Sequence, residues 1–213
     1  MATKGERTRA ALLDVALKMF RRRGFDETSM RDIAEAAGMS LGASYYYFRS
    51  KEEIVFAYYE DVQREHEQRL PEAWPASVPL AERLRTLFST KLDIVARDRK
   101  FLAALFRYAA EPGHPLGVFS EGTKSVRDRA VLGYERALAD MVPAELAAPV
   151  ARGLWVAHLG LLLHLLHDGS AHGEKTRKLA DIVADAAGRA VPLLSTPLLR
   201  DQAKELIAKL ASI

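Results

Sequence analysis

Apolar residues recur at intervals of three and four along almost the whole chain of 213 residues. No segment of the sequence sustains the alternation of apolar and polar residues that is typical of a half-buried strand. In the first apolar stretch, Leu13, Ala16, Leu17 and Phe20 share one helical face, and Gly24 follows three consecutive arginines. Cations in a last turn and a glycine beyond it are a common helix end. The pattern therefore predicts an all-α protein.

Proline-containing segments divide the later part of the chain. They lie at 71–79, 111–115 and 191–197, with a further proline at Pro143. Between them the apolar spacing again has the period of a helix. The sequence predicts helices over 79–97, 99–110, 117–140, 144–168, 174–191 and 197–211.

Composition limits the class of protein. With 49% hydrophobic residues, a chain of this length can bury a large core. It contains no cysteine, which excludes a disulfide framework, a thiolate metal site and a cysteine nucleophile. The first residues lack the apolar run of a secretory signal, and the run 154–166 is shorter than the about 20 residues that cross a bilayer. We expect a cytoplasmic protein without a membrane partner.

Residues 29–48 have the size and turn residues of a helix-turn-helix. Ser29 and Asp32 can form a capping box at the start of one short helix, which Gly38 ends. Ser40 can then cap a second short helix. With the preceding helix as a support, this arrangement matches the size of a DNA-binding motif, although a plain helical hairpin has similar spacing.

The second short helix, in the stretch "SLGASYYYF", carries more aromatic rings than its own core contacts need. Leu41, Phe48 and part of Tyr45 suffice for the core, which leaves Tyr46 and Tyr47 to face elsewhere. Tyrosine hydroxyls can donate to phosphate oxygens, and the rings can lie on sugars or thymine methyl groups. The same tyrosines could instead close a small bundle as a partly buried cluster.

The stretch "TRAALLDVALKMFRRRGFDETSMRDIAEAAGMSLGASYYYFRSKEEIV" resembles the N-terminal domain of the TetR family of bacterial transcription regulators. The resemblance covers residues 8–58 and implies a helix-turn-helix DNA-binding domain at 1–53, followed by a larger helical ligand-binding and dimerisation domain at 54–213. It gives Lys51 the role of phosphate anchor, and Phe48 that of holding the recognition helix to its base. The DNA contacts implied are Ser29, Arg31, Ser40, Leu41, Gly42, Ala43, Tyr45, Tyr46, Tyr47 and Lys51.

Four positions depart from the residues common in the family, where a bulky aliphatic residue often stands for Ser44 and histidine for Tyr47. Many members have lysine where this chain has Leu41 and threonine where it has Ala43. Neither side chain present can hydrogen-bond to a base edge. We therefore expect Arg31, apolar contacts to thymine methyl groups and DNA shape to contribute to operator choice.

The resemblance also implies a homodimer that is formed by the last long helices and binds a palindromic operator. A twofold dimer places its recognition helices about one DNA turn, roughly 34–36 Å, apart. Apolar and small residues of 149–168 and 174–191 form the predicted interface, although an intramolecular core would show the same pattern. The predicted interface residues are Leu161, Leu165, Leu179, Ile182, Val183, Ala186 and Ala190.

A small-molecule effector pocket is implied in the second domain. Large residues with a polar group, and aromatic or aliphatic walls, are the candidates, although such residues also fill ordinary cores. No buried cation or carboxylate is evident from the sequence, so we expect an uncharged or weakly polar, largely apolar effector. The predicted pocket residues are Phe101, Leu105, Tyr108, Phe119, Tyr134, Trp155 and His158.

Other classes of function find less support. His164 and His167 could share a helix face with Asp168 nearby, but no established ligand spacing accompanies them, so we expect neither a metal nor a cofactor. The sequence contains no GxSxG, P-loop or HExxH motif, and we expect no enzyme. The function predicted is a ligand-responsive transcription regulator, by family default a repressor. The alternatives are a helical small-molecule-binding or scaffold protein without sequence-specific DNA binding and, third, a metal-free helical enzyme.

Overall fold

A computed structural model of the chain describes residues 3–210, and their side chains as far as residue 205. Over this range the chain is helical, without strands, so the all-α prediction is confirmed. Three short 3-10 turns lie at Glu121–Thr123, Ala171–Gly173 and Val191–Ser195. The α-helices are α1 (Lys4–Arg23), α2 (Met30–Ala36), α3 (Leu41–Tyr47), α4 (Lys51–Arg69), α5 (Leu80–Ala96), α6 (Arg99–Ala109), α7 (Lys124–Leu138), α8 (Ala144–His167), α9 (Glu174–Ala190) and α10 (Pro197–Leu210).

Helix α7 begins later than the sequence pattern predicts. The predicted helix starts at 117, whereas hydrogen-bonded turns occupy its first residues: the Gly117 amide donates to the His114 carbonyl at 2.9 Å. The Thr123 hydroxyl then lies 2.8 Å from the Gly117 carbonyl oxygen. These local bonds replace the first helical turns, so α7 starts at Lys124.

Packing divides the chain into two compact units. Unit 1 comprises Met1–Gln63 and Asp98–Val126, and unit 2 comprises Arg64–Arg97 and Arg127–Ile213. The functional boundary predicted after residue 53 is a different division, and it stays a prediction.

The core of unit 1 forms around the C-terminal half of α1. Phe20 is buried, and its ring centroid lies 5.3 Å from that of Phe25 and 5.8 Å from that of Phe101 on α6. Gly24 ends α1 with φ 98°, a backbone conformation that favours glycine. Helix α6 therefore packs directly on the helix that supports the predicted helix-turn-helix.

In unit 2, α5 and α9 pack very closely. Gly188 makes this possible, because a Cβ atom there would lie 2.7 Å from the Ala81 Cβ and 2.9 Å from its amide nitrogen. The guanidinium of Arg83, which is 2% exposed, donates to the carbonyls of Val78, Ala137 and Pro75 at 2.9–3.0 Å. This buried cation holds the loop before α5 and the end of α7 in place.

Helix α8 extends well beyond the apolar run noted in the sequence. It has 24 residues and a mean hydropathy of 1.5 over its most apolar window, which is long and apolar enough to cross a membrane by length and composition alone. About a third of that window is buried inside the protein, including Leu154, Leu161 and Leu165. The buried face of α8 supplies core to unit 2.

Candidate functional site

The two short helices of the predicted helix-turn-helix are capped as expected. The Ser29 hydroxyl accepts from the Asp32 amide at 3.2 Å, and the Asp32 carboxylate accepts from the Ser29 amide at 2.8 Å. At α3, the Ser40 hydroxyl accepts from the Ala43 amide at 3.2 Å. The turn between the helices uses Gly38 with φ 65°. The capping box at α2 is therefore confirmed, and both helices have defined starts.

Helix α3 presents an exposed aromatic edge. Tyr46 is 83% exposed and Tyr45 46%, whereas Ser44 and Phe48 are fully buried. The rings of Tyr46 and Tyr47 meet edge to face, with centroids 5.1 Å apart. Tyr46 is thus not part of a buried cluster, and its ring and hydroxyl are available to a partner.

Phe48 holds the end of α3 against α1. Its buried ring has the guanidinium of Arg9 4.4 Å from its centroid. A cation over an aromatic face adds a favourable electrostatic contact. The supporting role that the sequence assigns to Phe48 agrees with this burial.

The Lys51 ammonium, predicted to anchor a phosphate, contacts groups of the protein itself. Its ammonium donates to the Phe25 carbonyl at 2.7 Å and lies 4.4 Å from the centroid of the Phe25 ring. Partial burial lowers its pKa, against the opposing effect of Glu52 and Glu27. Lys51 braces the loop between α1 and α2, and its role as phosphate anchor stays a prediction.

Asp98 joins three helices of unit 1. The carboxylate, 3% exposed, accepts from Arg21 Nε at 2.6 Å and Nη2 at 3.1 Å, and from the Tyr58 hydroxyl at 2.9 Å. It precedes α6 without capping it through its side chain. The sequence suggests an ordinary helix start at this position, so its link to a residue 77 positions away was not predictable.

The predicted pocket residues of unit 1 differ widely in burial. Phe101 and Leu105 are core, at 3% and 1% exposure, and Phe119 is 76% exposed. The Tyr108 hydroxyl donates to the Asp26 carboxylate, and its ring meets Phe25 at 5.7 Å. Tyr108 thereby ties α6 to the loop before α2. The role of these four residues in an effector pocket stays a prediction.

The predicted pocket residues of unit 2 lie in a buried polar cluster. The Tyr134 hydroxyl is hydrogen-bonded to His158 Nδ1, and both residues are buried. His66 joins them from α4, with Nε2 3.0 Å from the Leu87 carbonyl oxygen. Lys91, 8% exposed, lies one turn after Leu87 on α5. We call His66, Lys91, Tyr134 and His158 the buried polar cluster; the remaining predicted pocket residue, Trp155, is buried one turn before His158.

Burial changes the acid–base properties of this cluster. It lowers the pKa of Lys91 to about 7, with Glu67 opposing and Arg129 reinforcing the shift. Burial also lowers the pKa of His66 to about 3, and the nearby Lys91 contributes. The pKa of His158 falls well below its usual range for the same reasons. Both imidazoles are therefore neutral near pH 7.

Sequence reasoning missed His66 and Lys91. His66 stands in the charged stretch "REHEQR" and resembles a surface residue. Lys91 follows Leu84, Leu87 and Phe88 on the same apolar stripe of α5, and that spacing was the available indication of its burial. The expectation of no buried cation or carboxylate is thus wrong: Lys91 and Arg83 are buried cations, and Asp98 and Asp168 are buried carboxylates.

The predicted dimer residues divide between core and surface. Leu161 and Leu165 are 2% and 3% exposed and belong to the core of unit 2, since the chain itself already covers them. Ile182 is 64% exposed, and Val156 on α8 is 52% exposed. The residues of the predicted interface that remain partly or fully exposed are Leu179, Ile182, Val183, Ala186 and Ala190.

His164 of α8 and Asp168 have hydrogen-bond partners within the protein. His164 Nδ1 lies 2.8 Å from the Thr176 hydroxyl. The Asp168 carboxylate accepts from the amides of Ser170 and Thr176 and so caps the start of α9. Among the residues that the structure describes, no group of three or more His, Cys, Asp and Glu side chains could hold a metal ion.

Comparison with known proteins finds similar sequences for both the N-terminal and the C-terminal part of the chain. Residues 12–58 match the sequence model of bacterial regulatory proteins of the tetR family, and residues 83–206 match that of the tetracyclin repressor-like C-terminal domain. The transcriptional regulator AcrR of Shigella flexneri is 27% identical over 70% of this chain and 75% of its own length. The transcriptional repressor KstR2 of Rhodococcus jostii is 49% identical over 47 residues, which are 22% of this chain and 23% of KstR2.

A solved structure extends the similarity to nearly the whole chain. The tetR-family transcriptional regulator from Streptomyces coelicolor covers 98% of this chain and 90% of its own, with a TM-score of 0.65 and 28% identity. The family models together span the helix-turn-helix and most of the helices that follow it. The chain therefore belongs to the TetR family, and it is a ligand-responsive, DNA-binding transcription regulator of the repressor type.

Proposed function

We propose that the protein is a homodimer that represses transcription by binding a palindromic operator through α3, and that it leaves the operator when an effector binds in unit 2. The observation that carries the proposal is the exposed face of α3, where Tyr46 projects from a capped helix whose opposite side is buried through Phe48. Members of the family bind DNA operators and small molecules, typically as dimers. We assign the protein to the cytoplasm, where such regulators meet DNA.

The DNA-contacting surface is proposed to combine three kinds of group. The exposed side chains of Tyr45 and Tyr46 would contact sugars, phosphates and thymine methyl groups. Arg31, exposed in the first turn of α2, would supply a cation and hydrogen-bond donors. The N-termini of α2 and α3 carry the positive ends of the helix dipoles and would attract phosphate groups. The remaining predicted contacts are Ser29, Ser40, Leu41, Gly42, Ala43, Tyr47 and Lys51.

The dimer is proposed to form through the exposed faces of α8 and α9. On α8, Gly153, Val156 and Gly160 are exposed at intervals of three and four residues. On α9, Ile182 and Ala186 are exposed one turn apart. Small residues allow two helices to approach closely, and an exposed isoleucine gains free energy when it is covered.

Repression and release are proposed to be a population shift. DNA would select dimers whose two helix-turn-helix domains fit successive major grooves. The effector would favour dimers in which these two domains have another spacing. The affinity for DNA and the affinity for the effector would then be reciprocally coupled. Helix α4 runs unbroken from Lys51 to Arg69 and carries both Lys51, beside the helix-turn-helix, and His66 of the buried polar cluster.

The test is selection of bound sequences from a random DNA library by the purified protein at low and high salt. We expect an enriched palindrome whose affinity falls as salt rises, because phosphate contacts release counterions. Tyr46→Ala should weaken binding to that sequence about tenfold or more, with unchanged helicity by circular dichroism. Phe119→Ala removes an equally exposed ring from a loop outside the helix-turn-helix and is the matched control. Weak retention without sequence preference would contradict the proposal.

A further inference from the structure

We infer that the buried polar cluster binds an uncharged hydroxyl group of the effector, and that the effector is an alcohol with an apolar body. The inference rests on the proposed function, since it names the class of molecule that releases the operator. It is carried by one nitrogen of His66 and one of His158, which are buried in unit 2 with their hydrogen-bonding capacity unused.

Two imidazole nitrogens of the cluster are buried without a partner. His66 and His158 are each 4% exposed. Among the side chains that the structure describes, three buried polar atoms lack a hydrogen-bond partner, and two of them are His66 Nδ1 and His158 Nε2. Such an atom has lost its contact with water and gained no bond in exchange, which destabilises the protein. A ligand group that bonds to both nitrogens removes this disadvantage when it binds.

Two consecutive residues of α5 contact the two rings. His66 Nε2 lies 3.0 Å from the Leu87 carbonyl oxygen, and the Phe88 ring centroid lies 5.2 Å from that of His158. Burial lowers the pKa of His158, and the nearby His66 lowers it further. The two rings are therefore close enough in unit 2 for one bound molecule to contact both.

The bonded partner of each ring determines what its open nitrogen offers. The Leu87 carbonyl can only accept, so His66 carries its proton on Nε2, and Nδ1 is an acceptor. The Tyr134 hydroxyl is bonded to His158 Nδ1, and among the described residues its hydrogen has no other acceptor. Tyr134 therefore donates to Nδ1, and His158 carries its own proton on Nε2, which is a donor. The site offers one acceptor and one donor.

An alcohol hydroxyl complements this pair. Its hydrogen can be donated to His66 Nδ1, and its oxygen can accept from His158 Nε2. A carboxylate, a ketone and an ether have no hydrogen to donate, so each would leave Nδ1 without a partner. A primary amide has a second N–H hydrogen, which would need a further acceptor in a buried setting. The hydroxyl therefore satisfies both nitrogens without leaving an N–H or O–H hydrogen of the ligand unpaired.

Aromatic and aliphatic groups next to the cluster select the rest of the effector. The Phe88 ring centroid lies 6.2 Å from that of Tyr134, in addition to its contact with His158. Leu84, one turn before Phe88 on α5, and Leu161, three residues after His158 on α8, are both buried. Contact with these groups favours an apolar body. This agrees with the uncharged or weakly polar, largely apolar effector expected from the sequence.

The experiment compares alcohols with isomeric ethers by titration calorimetry on the full chain. The probes are phenethyl alcohol with benzyl methyl ether, and hexanol with methyl pentyl ether. All four are uncharged, so the protonation of Lys91 does not enter the comparison. We expect the alcohol of at least one pair to bind about tenfold more tightly than its ether, which corresponds to about 1.4 kcal/mol. The reason is that the ether can accept from His158 Nε2 but cannot donate to His66 Nδ1.

His66→Phe should abolish the preference for the alcohol, because alcohol and ether then meet the same donor on His158. His167→Phe makes the same substitution at an exposed histidine of α8, and this matched control should keep the preference.

A second readout uses the wild-type protein alone. The resonance of the unprotonated His66 nitrogen should shift when the alcohol binds and stay unchanged when the ether binds. The protonated nitrogen of His158 should shift with both. The alcohol should also weaken binding to the selected palindrome.

Alcohols that bind no more tightly than their ethers, or that do not bind, overturn the inference. A bound alcohol that leaves the His66 resonance or the operator affinity unchanged overturns it too. So does tighter binding of N-methylbenzamide, a secondary amide with one donor and one acceptor, than of either alcohol. A protein that selects a palindrome and ignores the alcohols keeps the proposed function. One that binds the alcohols and selects no DNA keeps the site and loses the proposed function.

Discussion

At the scale of single residues, two buried cations of unit 2 have different energetic roles. Arg83 donates to three backbone carbonyls and is thereby satisfied by the fold itself. The pKa of Lys91 is instead lowered to about 7, so its surroundings stabilise the ammonium less well than water does. Lys91 therefore reduces folding stability at a pH where it is protonated.

The stability of the protein should therefore depend on pH through Lys91. In the unfolded chain its pKa is near 10.5, and in the folded chain about 7. Between these values the unfolded state binds more protons, so stability rises with pH, by up to about 1.4 kcal/mol per pH unit. Below pH 7 both states are protonated, and the full destabilisation is present.

Lys91→Met should raise the free energy of unfolding by about 1–4 kcal/mol at pH 6, because the variant buries no ammonium. The difference from wild type should shrink as pH rises from 7 to 10. Urea unfolding over this pH range measures it, with Lys178→Met as the exposed control. A variant less stable than wild type at pH 6 would show that Lys91 is well stabilised in the fold.

At the scale of helices, ion pairs in unit 1 fasten α6 to α1. Asp98 accepts from Arg21 and from Tyr58 on α4, and Tyr108 on α6 donates to Asp26. These contacts join the helices around the helix-turn-helix with charge-assisted bonds that are stronger than neutral ones. The buried Asp98 carboxylate therefore contributes to the orientation of α1 relative to α6, together with the ring contact of Phe20 with Phe101.

Asp98→Asn should lower the free energy of unfolding by about 1–3 kcal/mol, because Arg21, 39% exposed, and Tyr58 lose a charged acceptor that is itself 2% exposed. Asp93→Asn is the matched control: Asp93 pairs with Arg177 at 2.6 Å, but both side chains are more than a third exposed. That exposed pair should contribute about 0–1 kcal/mol. Equal effects of the two substitutions in urea unfolding would contradict the role of Asp98.

The helices themselves were largely predictable from the sequence, because their periodicity, caps and proline breaks are local. The start of α7 was not, since the side chain of Thr123 bonds to carbonyls five and six residues earlier. The helix-turn-helix was recognised from its motif, and the exposure of Tyr46 followed from counting core positions. Tyr45, assigned in part to the core, is 46% exposed, and Tyr47, expected to face elsewhere, is half-buried. The pairing of Asp98 with Arg21 and the burial of His66 depend on contacts distant in sequence, which one sequence does not reveal.

At the scale of the whole molecule, operator binding should require the dimer. Ile182→Glu places a charge on the exposed face of α9, where burial against a second copy would leave it without water. We expect this variant to sediment as a monomer. It should lose most of its operator affinity, because the single helix-turn-helix of a monomer contacts only one half-site of the operator. Leu132→Glu, at a position of α7 that is 42% exposed, is the control. A dimeric Ile182→Glu protein would place the interface elsewhere.

The position of one tryptophan makes the molecule suited to optical study. The chain has 2 tryptophans, Trp74 and Trp155, and Trp155 is buried on α8 three residues before His158. Residues three apart on a helix are neighbours, so the indole lies beside His158 of the buried polar cluster. In a Trp74→Phe variant, the fluorescence of Trp155 should report ligand binding in unit 2, and the tyrosine-rich α3 contains no indole that would add a signal from DNA contact.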